Sequence, residues 1–238
     1  MPNWVYNTIE IKGNQTDIEK LFDSITNGKA IIDFAKIISV PECIQKCPPF
    51  SGSAAETACK FVKECYVNDK DPFVLLDSDE LPDYVLLEKE SWEKRQHSFF
   101  VKTKKENLDD ELNESLVKTY SINFKDLFKN YITCIKETGC VDWYTWNIEH
   151  WGCKWNASDS RREGNSLYFD TPWSAPFPIF IELAKQNPNI TLKVTIAHEC
   201  DYDIDIYEYK FSKESNEVEE NFIETITEKW GEENDENE

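Results

Sequence analysis

The chain has 238 residues, 46 of them acidic and 26 basic, so its formal charge is −20; 40% of the residues are hydrophobic and 13% are aromatic. This length suits one large domain or two small ones, and the hydrophobic content excludes a wholly disordered acidic chain. Because there is no run of about 18 apolar residues and no basic start followed by an apolar stretch, we expect no membrane span, no secretory signal and a cytoplasmic location.

The first 40 residues are predicted to form a strand, a helix and a second strand. Large and polar side chains alternate over Trp4–Lys12, as they do in a half-buried strand. Thr16 and Glu19 have the T-x-x-E spacing of a capping box, which predicts a helix that begins at Thr16 and ends before Asn27. The apolar run Ala30–Val40 then predicts a largely buried strand.

Residues 43–120 have a different composition, because prolines, glycines, serines and charged runs interrupt the chain. Apolar residues at helical spacing predict one helix over Ala54–Tyr66, and a weaker pattern predicts another over Asp109–Tyr120. We interpret this region as an insertion or a helical subdomain beside a more regular sheet.

Regular patterns return after residue 121. Apolar residues from Phe124 to Ile135 follow a helical spacing behind Asn123, a residue suited to an N-cap, and Gly139 is expected to end that helix. The remaining elements before residue 212 are predicted strands over Val141–Glu149, Asn165–Thr171, Ile190–Ala197 and Tyr202–Phe211, and a predicted helix over Pro178–Gln186.

The C-terminal region is strongly acidic. Val218–Trp230 is predicted to be a last amphipathic helix, and Ser212–Glu238 carries 11 acidic residues and two lysines. Two interpretations of the tail are open: a solubilising end, or a mimic of phosphates that occupies a basic site on a partner. At this net charge we expect no binding to duplex nucleic acid.

The order of these elements predicts the α+β class, with a mixed or antiparallel sheet and helices on one face. Residues 1–42 together with 121–211 are expected to form this core. Residues 43–120 are expected to form the helical insertion, and residues 212–238 an acidic C-terminal helix and tail.

Eight cysteines accompany only three histidines. Without an export signal, the cysteines are expected to be free thiols in a reducing compartment. Cys43 and Cys47 are separated by three residues, and no pair has the two-residue spacing of a zinc knuckle, so we predict no metal and no other cofactor. In an oxidising compartment, disulfides within Cys43–Cys65 would be an alternative.

Tryptophans are concentrated in one part of the chain. Trp143, Trp146, Trp151 and Trp155 lie within 13 residues, and Trp173 follows. Two interpretations are open: the indoles pack between sheet and helices, or they form a platform on which a nucleotide base stacks.

The cations near these tryptophans favour a small anionic ligand of nucleotide size. Residues 121–164 carry six basic and six acidic side chains, so this stretch is neutral within an acidic chain. Cations beside indoles can neutralise the phosphate of a nucleotide while its base stacks on an indole ring. The predicted ligand-binding residues are Trp151, Lys154, Trp155, Asn156, Arg161, Arg162 and Trp173.

Four segments resemble, in order, the phage- and plasmid-borne family known as Api-ninety-two-like: the first 13 residues, Ile32–Glu42, Trp143–Ala157 and Phe169–Leu192. The family's aromatic block is similar to N-W-G-T-K-W-N-A; in this chain His150 replaces its Asn and Cys153 its Thr. The resemblance implies a ferredoxin-like sheet and a phage or mobile-element setting. We therefore expect the protein in the cytoplasm of an infected bacterial host. It implies no activity.

No catalytic motif is present, so we expect a protein that is not an enzyme. Cys153 with His150 is a conceivable nucleophile and base, although nothing in the sequence orients the histidine. Asp201, Asp203 and Asp205 either offer carboxylates to a divalent cation or form a solvated acidic edge.

Two functions follow from these features. One is a non-catalytic binder that counteracts a host process by sequestering a small anionic ligand such as a signalling nucleotide. The alternative is an acidic protein-binding inhibitor, or nucleic-acid mimic, that acts on a basic host protein. A homo-oligomer is compatible with both.

Overall fold

A computed structural model describes residues 3–47, 52–78, 80–103, 120–199 and 203–227. The chain forms two compact units. One, which we call the sheet unit, comprises Met1–Ser39 and Asn147–Glu238; the other, the helical unit, comprises Val40–Trp146.

The elements are numbered here in chain order. They are β1 (Trp4–Lys12), α1 (Gln15–Ile25), α2 (Phe34–Ile37), α3 (Glu42–Lys46), α4 (Gly52–Val67), α5 (Pro72–Asp77), α6 (Asp83–Thr103), α7 (Phe124–Thr138), α8 (Trp143–Trp151), β2 (Ser158–Glu163), β3 (Ser166–Pro172), α9 (Phe177–Gln186), β4 (Thr191–His198), β5 (Asp203–Ser212) and β6 (Glu217–Thr227). None of the helices in the described ranges is long and apolar enough to cross a bilayer.

The sheet unit contains six antiparallel strands in the order β2-β3-β1-β4-β5-β6. One face of the sheet is buried beneath α1, α2 and α9. Phe169 of β3 marks this packing, because its ring contacts Phe34 of α2 (5.7 Å between centroids) and Phe180 of α9 (6.5 Å). The predicted α+β class, with an antiparallel sheet and helices on one face, is confirmed.

The other side of the sheet, which we call the outer face, is more exposed. Along β1, buried Val5, Asn7 and Ile9 alternate with the more accessible Tyr6 and Thr8. Since neighbouring residues of a strand point to opposite sides, the register assigns each residue of the sheet to one face.

Helix α1 confirms the predicted helix but not its predicted cap. Asn14 is the N-cap, and its Oδ1 accepts a hydrogen bond of 2.9 Å from the backbone N–H of Asp17. The helix therefore begins at Gln15, before Thr16. Asn14 satisfies the N–H group of Asp17, whereas a cap at Thr16 would have satisfied that of Ile18 or Glu19.

The helical unit contains the two helices predicted most clearly outside the sheet, α4 and α7. Their rings meet at Phe61 and Phe128 (6.2 Å between centroids). Asn123 caps α7 by accepting from Asp126 N–H (2.9 Å), and Gly139, with φ +78°, ends it. The second helix predicted in this region, Asp109–Tyr120, lies outside the described residues except for Tyr120.

The sequence did not predict α6, because its buried side chains form a narrow stripe within a charged run. Val85 and Trp92 are buried, and between them Glu88 is buried as well. Glu88 is neutralised by Arg95 and accepts a hydrogen bond from Ser53 Oγ (3.0 Å). Because Ser53 lies in α4, this hydrogen bond links Glu88 of α6 to α4. Helix α6 therefore packs there although it has no continuous apolar face.

The predicted strand Ala30–Val40 is wrong, since this segment contains the short helix α2. Asp33 caps it by accepting from Ala35 N–H (3.0 Å), and Asn156 Oδ1 accepts from Phe34 N–H (2.9 Å). Two side-chain acceptors therefore satisfy backbone groups that a sheet would otherwise have to pair.

The predicted strand Val141–Glu149 is also wrong, because α8 covers Trp143–Trp151. Asp142 starts the helix: its Oδ1 accepts from both the backbone N–H (2.9 Å) and the hydroxyl (2.8 Å) of Thr145. Aromatic and β-branched residues favour strands in general. Here the Asp142 cap and the burial of the Trp146 side chain stabilise the helix instead.

The predicted helix Val218–Trp230 is wrong in its described part, since residues 217–227 form β6. Asn216, with φ +59°, turns the chain, and β6 pairs with β5 from Ser212–Glu217 to Asp203–Thr227. The spacing of Val218, Phe222 and Ile226 suits a helix, but pairing with an available sheet edge satisfies the whole backbone. The compact units thus differ from the predicted domains: α7 belongs to the helical unit, and β6 to the sheet.

Candidate ligand-binding site

The two aromatic motifs of the sequence meet at the surface of the sheet unit. The rings of Trp155 and Trp173 lie 5.5 Å apart at an angle of 49°. Their side chains are 42% and 47% exposed. The Lys154 ammonium lies 4.6 Å from the centroid of the Trp155 ring and 5.0 Å from that of Trp173. We call these three side chains the indole–lysine cluster.

Hydrogen bonds fix the backbone beneath this cluster. The Asn147 side chain donates to the Lys154 carbonyl (2.9 Å), and the Cys153 thiol donates to the Trp155 carbonyl (3.2 Å). The Ser174 hydroxyl donates to the Gly152 carbonyl (2.6 Å), which joins the two motifs. Three carbonyl groups between residues 152 and 155 are therefore hydrogen-bonded within the protein itself.

Gly152 permits the close approach of these motifs. Its φ of +79° is costly for other residues, and a Cβ atom there would lie 2.7 Å from Pro178 Cδ. Both the backbone conformation and the space therefore require glycine. Gly152 is not among the predicted ligand-binding residues.

Trp173 adopts a strained backbone conformation. Its φ is +64°, in the left-handed region that bulky residues rarely occupy. The backbone N–H of Trp173 donates to the Asn3 carbonyl (2.8 Å), which holds the residue in place. Such strain occurs where surrounding contacts impose it, and it is often found at binding sites.

A buried polar chain connects the centre of the sheet to the Trp173 loop. Asn7 Nδ2 donates to Thr171 Oγ1 (3.0 Å), and Thr171 Oγ1 donates to the Ser174 carbonyl (2.8 Å). Sequence reasoning missed Asn7. The signal was present, because Asn7 is the polar residue at a core position between Val5 and Ile9.

Trp151 and Asn156 support the fold rather than the surface. The Trp151 indole is buried, packs edge-on against Phe34 (5.8 Å) and donates to the Ile38 carbonyl (3.1 Å). Asn156 Nδ2 donates to Asp33 Oδ1 (2.6 Å) while its Oδ1 caps α2. For these two residues the packing interpretation accounts for the contacts, and we leave them out of the proposed ligand contacts.

The expected convergence of Arg161 and Arg162 on the indoles is wrong. The two are consecutive residues of β2 and point to opposite sides of the sheet. The Arg162 guanidinium lies 3.7 Å from the centroid of the Phe22 ring and donates to both carboxylate oxygens of Glu19 (2.9 and 2.6 Å). This pairing lowers the pKa of Glu19 to about 2.

Arg161 lies on the outer face instead. Its guanidinium carbon is 4.5 Å from the Tyr168 ring centroid, and its Nε lies 3.4 Å from Glu163. The alternation of a strand, which the sequence analysis did not apply to Ser158–Glu163, rules out a single site containing both arginines. Lys154 is therefore the one predicted cation that the structure places against the two exposed indoles.

Cys153 is positioned as a hydrogen-bond donor. The side chain is buried, and burial raises the pKa of its thiol to about 12, so the thiol stays protonated near neutral pH. A protonated thiol bonded to a carbonyl is a poor nucleophile.

The acidic side chains at the start of β5 accept hydrogen bonds from threonines of β6. Asp203 and Asp205 accept from the hydroxyls of Thr227 and Thr225, each at 2.6 Å. Asp201 lies outside the described residues, as does the acidic tail from residue 228.

None of the seven cysteines in the described ranges forms a disulfide. Cys47 and Cys134, both in the helical unit, have their sulfur atoms 3.4 Å apart. Cys200 lies outside the described residues.

Residues 150–237 match a family model described as the ferredoxin-like domain in Api92-like protein. The resemblance expected from the motifs is confirmed for this part of the chain. Trp155, Trp173 and Lys154 all lie within the matched residues.

A crystal structure of protein api92 from Yersinia pseudotuberculosis aligns with 94% of this chain and 99% of that chain. The TM-score is 0.42 and the sequence identity 12%. No curated protein matches the chain.

Proposed function

We propose that this chain is a non-catalytic binding protein that sequesters a small anionic ligand, such as a signalling nucleotide, at the indole–lysine cluster. The proposal rests on one observation: two half-exposed indoles in contact with each other, with one ammonium group about 5 Å from both ring centroids. The resemblance to a phage- and plasmid-borne family adds only the proposed setting, the cytoplasm of an infected bacterium. In that setting we propose that sequestering the ligand counteracts a host process.

The cluster suits a ligand with an aromatic ring and a negative charge. An exposed indole offers a π-face on which a base stacks, and alanine substitution at such contacts costs about 1–3 kcal/mol per base. The Lys154 ammonium, half-buried between the rings, is placed to attract a phosphate beside the stacked base.

The charge of the protein limits the length of that ligand. A polymer extending from the cluster would meet a chain with 20 more negative than positive charges. A nucleoside monophosphate or a cyclic nucleotide needs little more than one stacking surface and one cation. We therefore propose a nucleotide-sized ligand in preference to single-stranded nucleic acid.

The fixed backbone supports binding rather than packing alone. Carbonyl groups of Gly152, Lys154 and Trp155 each accept a hydrogen bond from a side chain. A site held in its bound conformation spends less free energy on ordering when a ligand binds.

A panel of nucleotides tests the proposal. Melting temperature is measured with AMP, GMP, UMP and the corresponding 3′,5′-cyclic nucleotides, with adenosine as the uncharged control. We expect at least one nucleotide to raise the melting temperature, and adenosine to have a smaller effect. Lys154→Gln should weaken the affinity for that nucleotide about tenfold, a loss of about 1.4 kcal/mol.

Lys185→Gln is the matched control, because Lys185 is an exposed lysine of the same unit near the end of α9. It should leave the affinity unchanged. If no member of the panel stabilises the protein, or if Lys154→Gln and Lys185→Gln bind equally, the proposed function is wrong.

A further inference from the structure

Strand β6 forms one edge of the six-stranded sheet. Within the described part of the chain it pairs with β5 on one side and with no strand on the other. It is 11 residues long, whereas β2 at the opposite edge has six. Its apolar side chains are unusually accessible: Phe222 is 57% and Ile223 47% exposed. A long edge with exposed apolar residues is a template for pairing with another strand.

The register shows which chemistry each face of this edge presents. On the outer face, Glu219 lies opposite Lys210 and Glu224 opposite Ile206. On the helix-covered face, Val218 lies opposite Phe211 and Phe222 opposite Tyr207, whose ring it contacts at 5.4 Å. On the outer face, a strand added here would meet Glu217, Glu219 and Glu224. On the helix-covered face it would meet Val218 and Phe222, because Glu220 between them already accepts a hydrogen bond from the Tyr209 hydroxyl (2.9 Å).

The charge of β6 argues against a second copy as the occupant. The strand contains four glutamates and no lysine or arginine. Two copies paired along this edge would bring four glutamates from each strand together with no lysine or arginine between them. Like charges directly opposite are destabilising, and each chain carries a net charge of −20.

We propose that the β6 edge binds an extended basic segment of a partner protein as a seventh strand of the sheet. Cationic and apolar side chains alternate along this segment. Its lysines or arginines lie on the outer face beside Glu217, Glu219 and Glu224, and its apolar side chains lie beside Val218 and Phe222 on the other face. This inference goes beyond the proposed nucleotide site, because it uses neither Lys154 nor the exposed indoles.

Three synthetic peptides test the proposal on the full chain. The first has nine residues with lysine and valine in alternation. The second has the same composition with all lysines before all valines, and the third is the alternating peptide with N-methyl groups on alternate backbone amides. Affinity is measured by titration calorimetry, and protection of β6 amides by hydrogen–deuterium exchange.

We expect the alternating peptide to bind and to slow exchange of β6 amides about tenfold or more, because pairing protects backbone N–H groups. The other two should bind at least about tenfold more weakly, since they carry the same charge but cannot form the ladder. If all three bind equally, the attraction is only electrostatic and the proposal is wrong. Dimerisation of the protein alone with protection of β6 would also overturn it, because the occupant would then be a second copy.

Charge reversal provides an independent measurement. The triple variant Glu217→Lys, Glu219→Lys and Glu224→Lys should lose affinity for the alternating lysine–valine peptide. It should gain affinity for an alternating glutamate–valine peptide. The control variant Glu56→Lys, Glu90→Lys and Glu93→Lys changes net charge equally at exposed positions of the helical unit. It should keep the original preference, and equal behaviour of the two variants would contradict a site at β6.

Discussion

The side-chain amide of Asn7 donates a hydrogen bond of 3.0 Å to the hydroxyl of Thr171, across neighbouring strands β1 and β3. Asn7 is buried, and its amide also donates to the Val5 carbonyl at 2.9 Å. From Thr171 the chain of hydrogen bonds continues to Ser174 and then to Gly152. The core of the sheet thus positions the loop that carries Trp173.

Asn7→Ala should destabilise the protein by about 2–3 kcal/mol, because it leaves a void and removes the donor from buried acceptors. Urea denaturation measures this loss. The same variant should increase quenching of tryptophan fluorescence by acrylamide, since Trp173 loses support. Thr8→Ala, on the outer face of the same strand, should cost about 1 kcal/mol or less and leave quenching unchanged. Equal effects of both variants would contradict the supporting role of Asn7.

Gly152→Ala should be more destabilising than Gly28→Ala. Both glycines have a φ near +80°, but an added Cβ would lie 2.7 Å from Pro178 at position 152 and meets nothing within 4 Å at position 28. The backbone conformation alone costs about 1–2 kcal/mol, so Gly28→Ala should lose about that amount. The clash should add about 1–3 kcal/mol for Gly152→Ala. Chemical denaturation of the two variants separates these contributions; equal losses would show that the close approach to Pro178 does not matter.

The Glu19–Arg162 pair should contribute to the loss of stability in acid. Arg162 lowers the pKa of Glu19 from its ordinary 4.5 to about 2. Since the folded-state pKa lies below the ordinary value, the pair stabilises the fold above pH 4.5, and that contribution is lost as the pH falls towards 2.

The variant Glu19→Gln should therefore lose less stability than the wild type between pH 5 and pH 2.5. The urea midpoints at the two pH values measure this, at low salt because both side chains are partly exposed. Glu10→Gln on the outer face of β1 serves as the control and should follow the wild type. A Glu19→Gln variant with the wild-type pH dependence would contradict the pairing.

Alkylation should distinguish the described cysteines by their burial. Cys59 is exposed, whereas Cys134, Cys140 and Cys153 are buried. Brief treatment with iodoacetamide followed by peptide mass spectrometry should therefore modify Cys59 before the other three. In urea all of them should react at similar rates. Early modification of Cys153 in the native protein would contradict its buried role beneath Trp155.

The sequence allowed the regular parts of the fold to be predicted. Alternation over Trp4–Lys12 and helical spacing from Phe124 to Ile135 correspond to β1 and α7, because each pattern has one buried face. Three other predictions failed, two of them for the same reason. In Ala30–Val40 and Val141–Glu149, β-branched and aromatic residues favoured strands, but side-chain caps at Asp33 and Asp142 start helices.

The third failure concerns a helical spacing that occurs in a strand. Val218 and Phe222 are four residues apart, as on one face of a helix, yet both lie on one face of β6, where the period of two also brings every fourth residue. This segment forms a strand rather than a helix because it pairs with β5. A local sequence pattern does not show which strands pair.

The candidate site was predicted in part. Trp155, Trp173 and Lys154 come together as expected, and the hydrogen bond from Ser174 to the Gly152 carbonyl joins the two segments that carry them. Arg161 and Arg162 do not, since consecutive residues of a strand cannot share a face. Asn7 was missed because its role depends on Thr171, a partner far away in the sequence.

Fluorine NMR of the protein labelled with 5-fluorotryptophan tests the central claim most directly. The resonances of Trp151, Trp155 and Trp173 are assigned by single substitutions, and the nucleotide that stabilises the protein is titrated, with AMP as the first choice. The account predicts that the Trp155 and Trp173 resonances shift with the same saturation curve while buried Trp151 does not move. Saturable binding that leaves Trp155 and Trp173 unchanged, or the absence of any shift with every nucleotide, would contradict it.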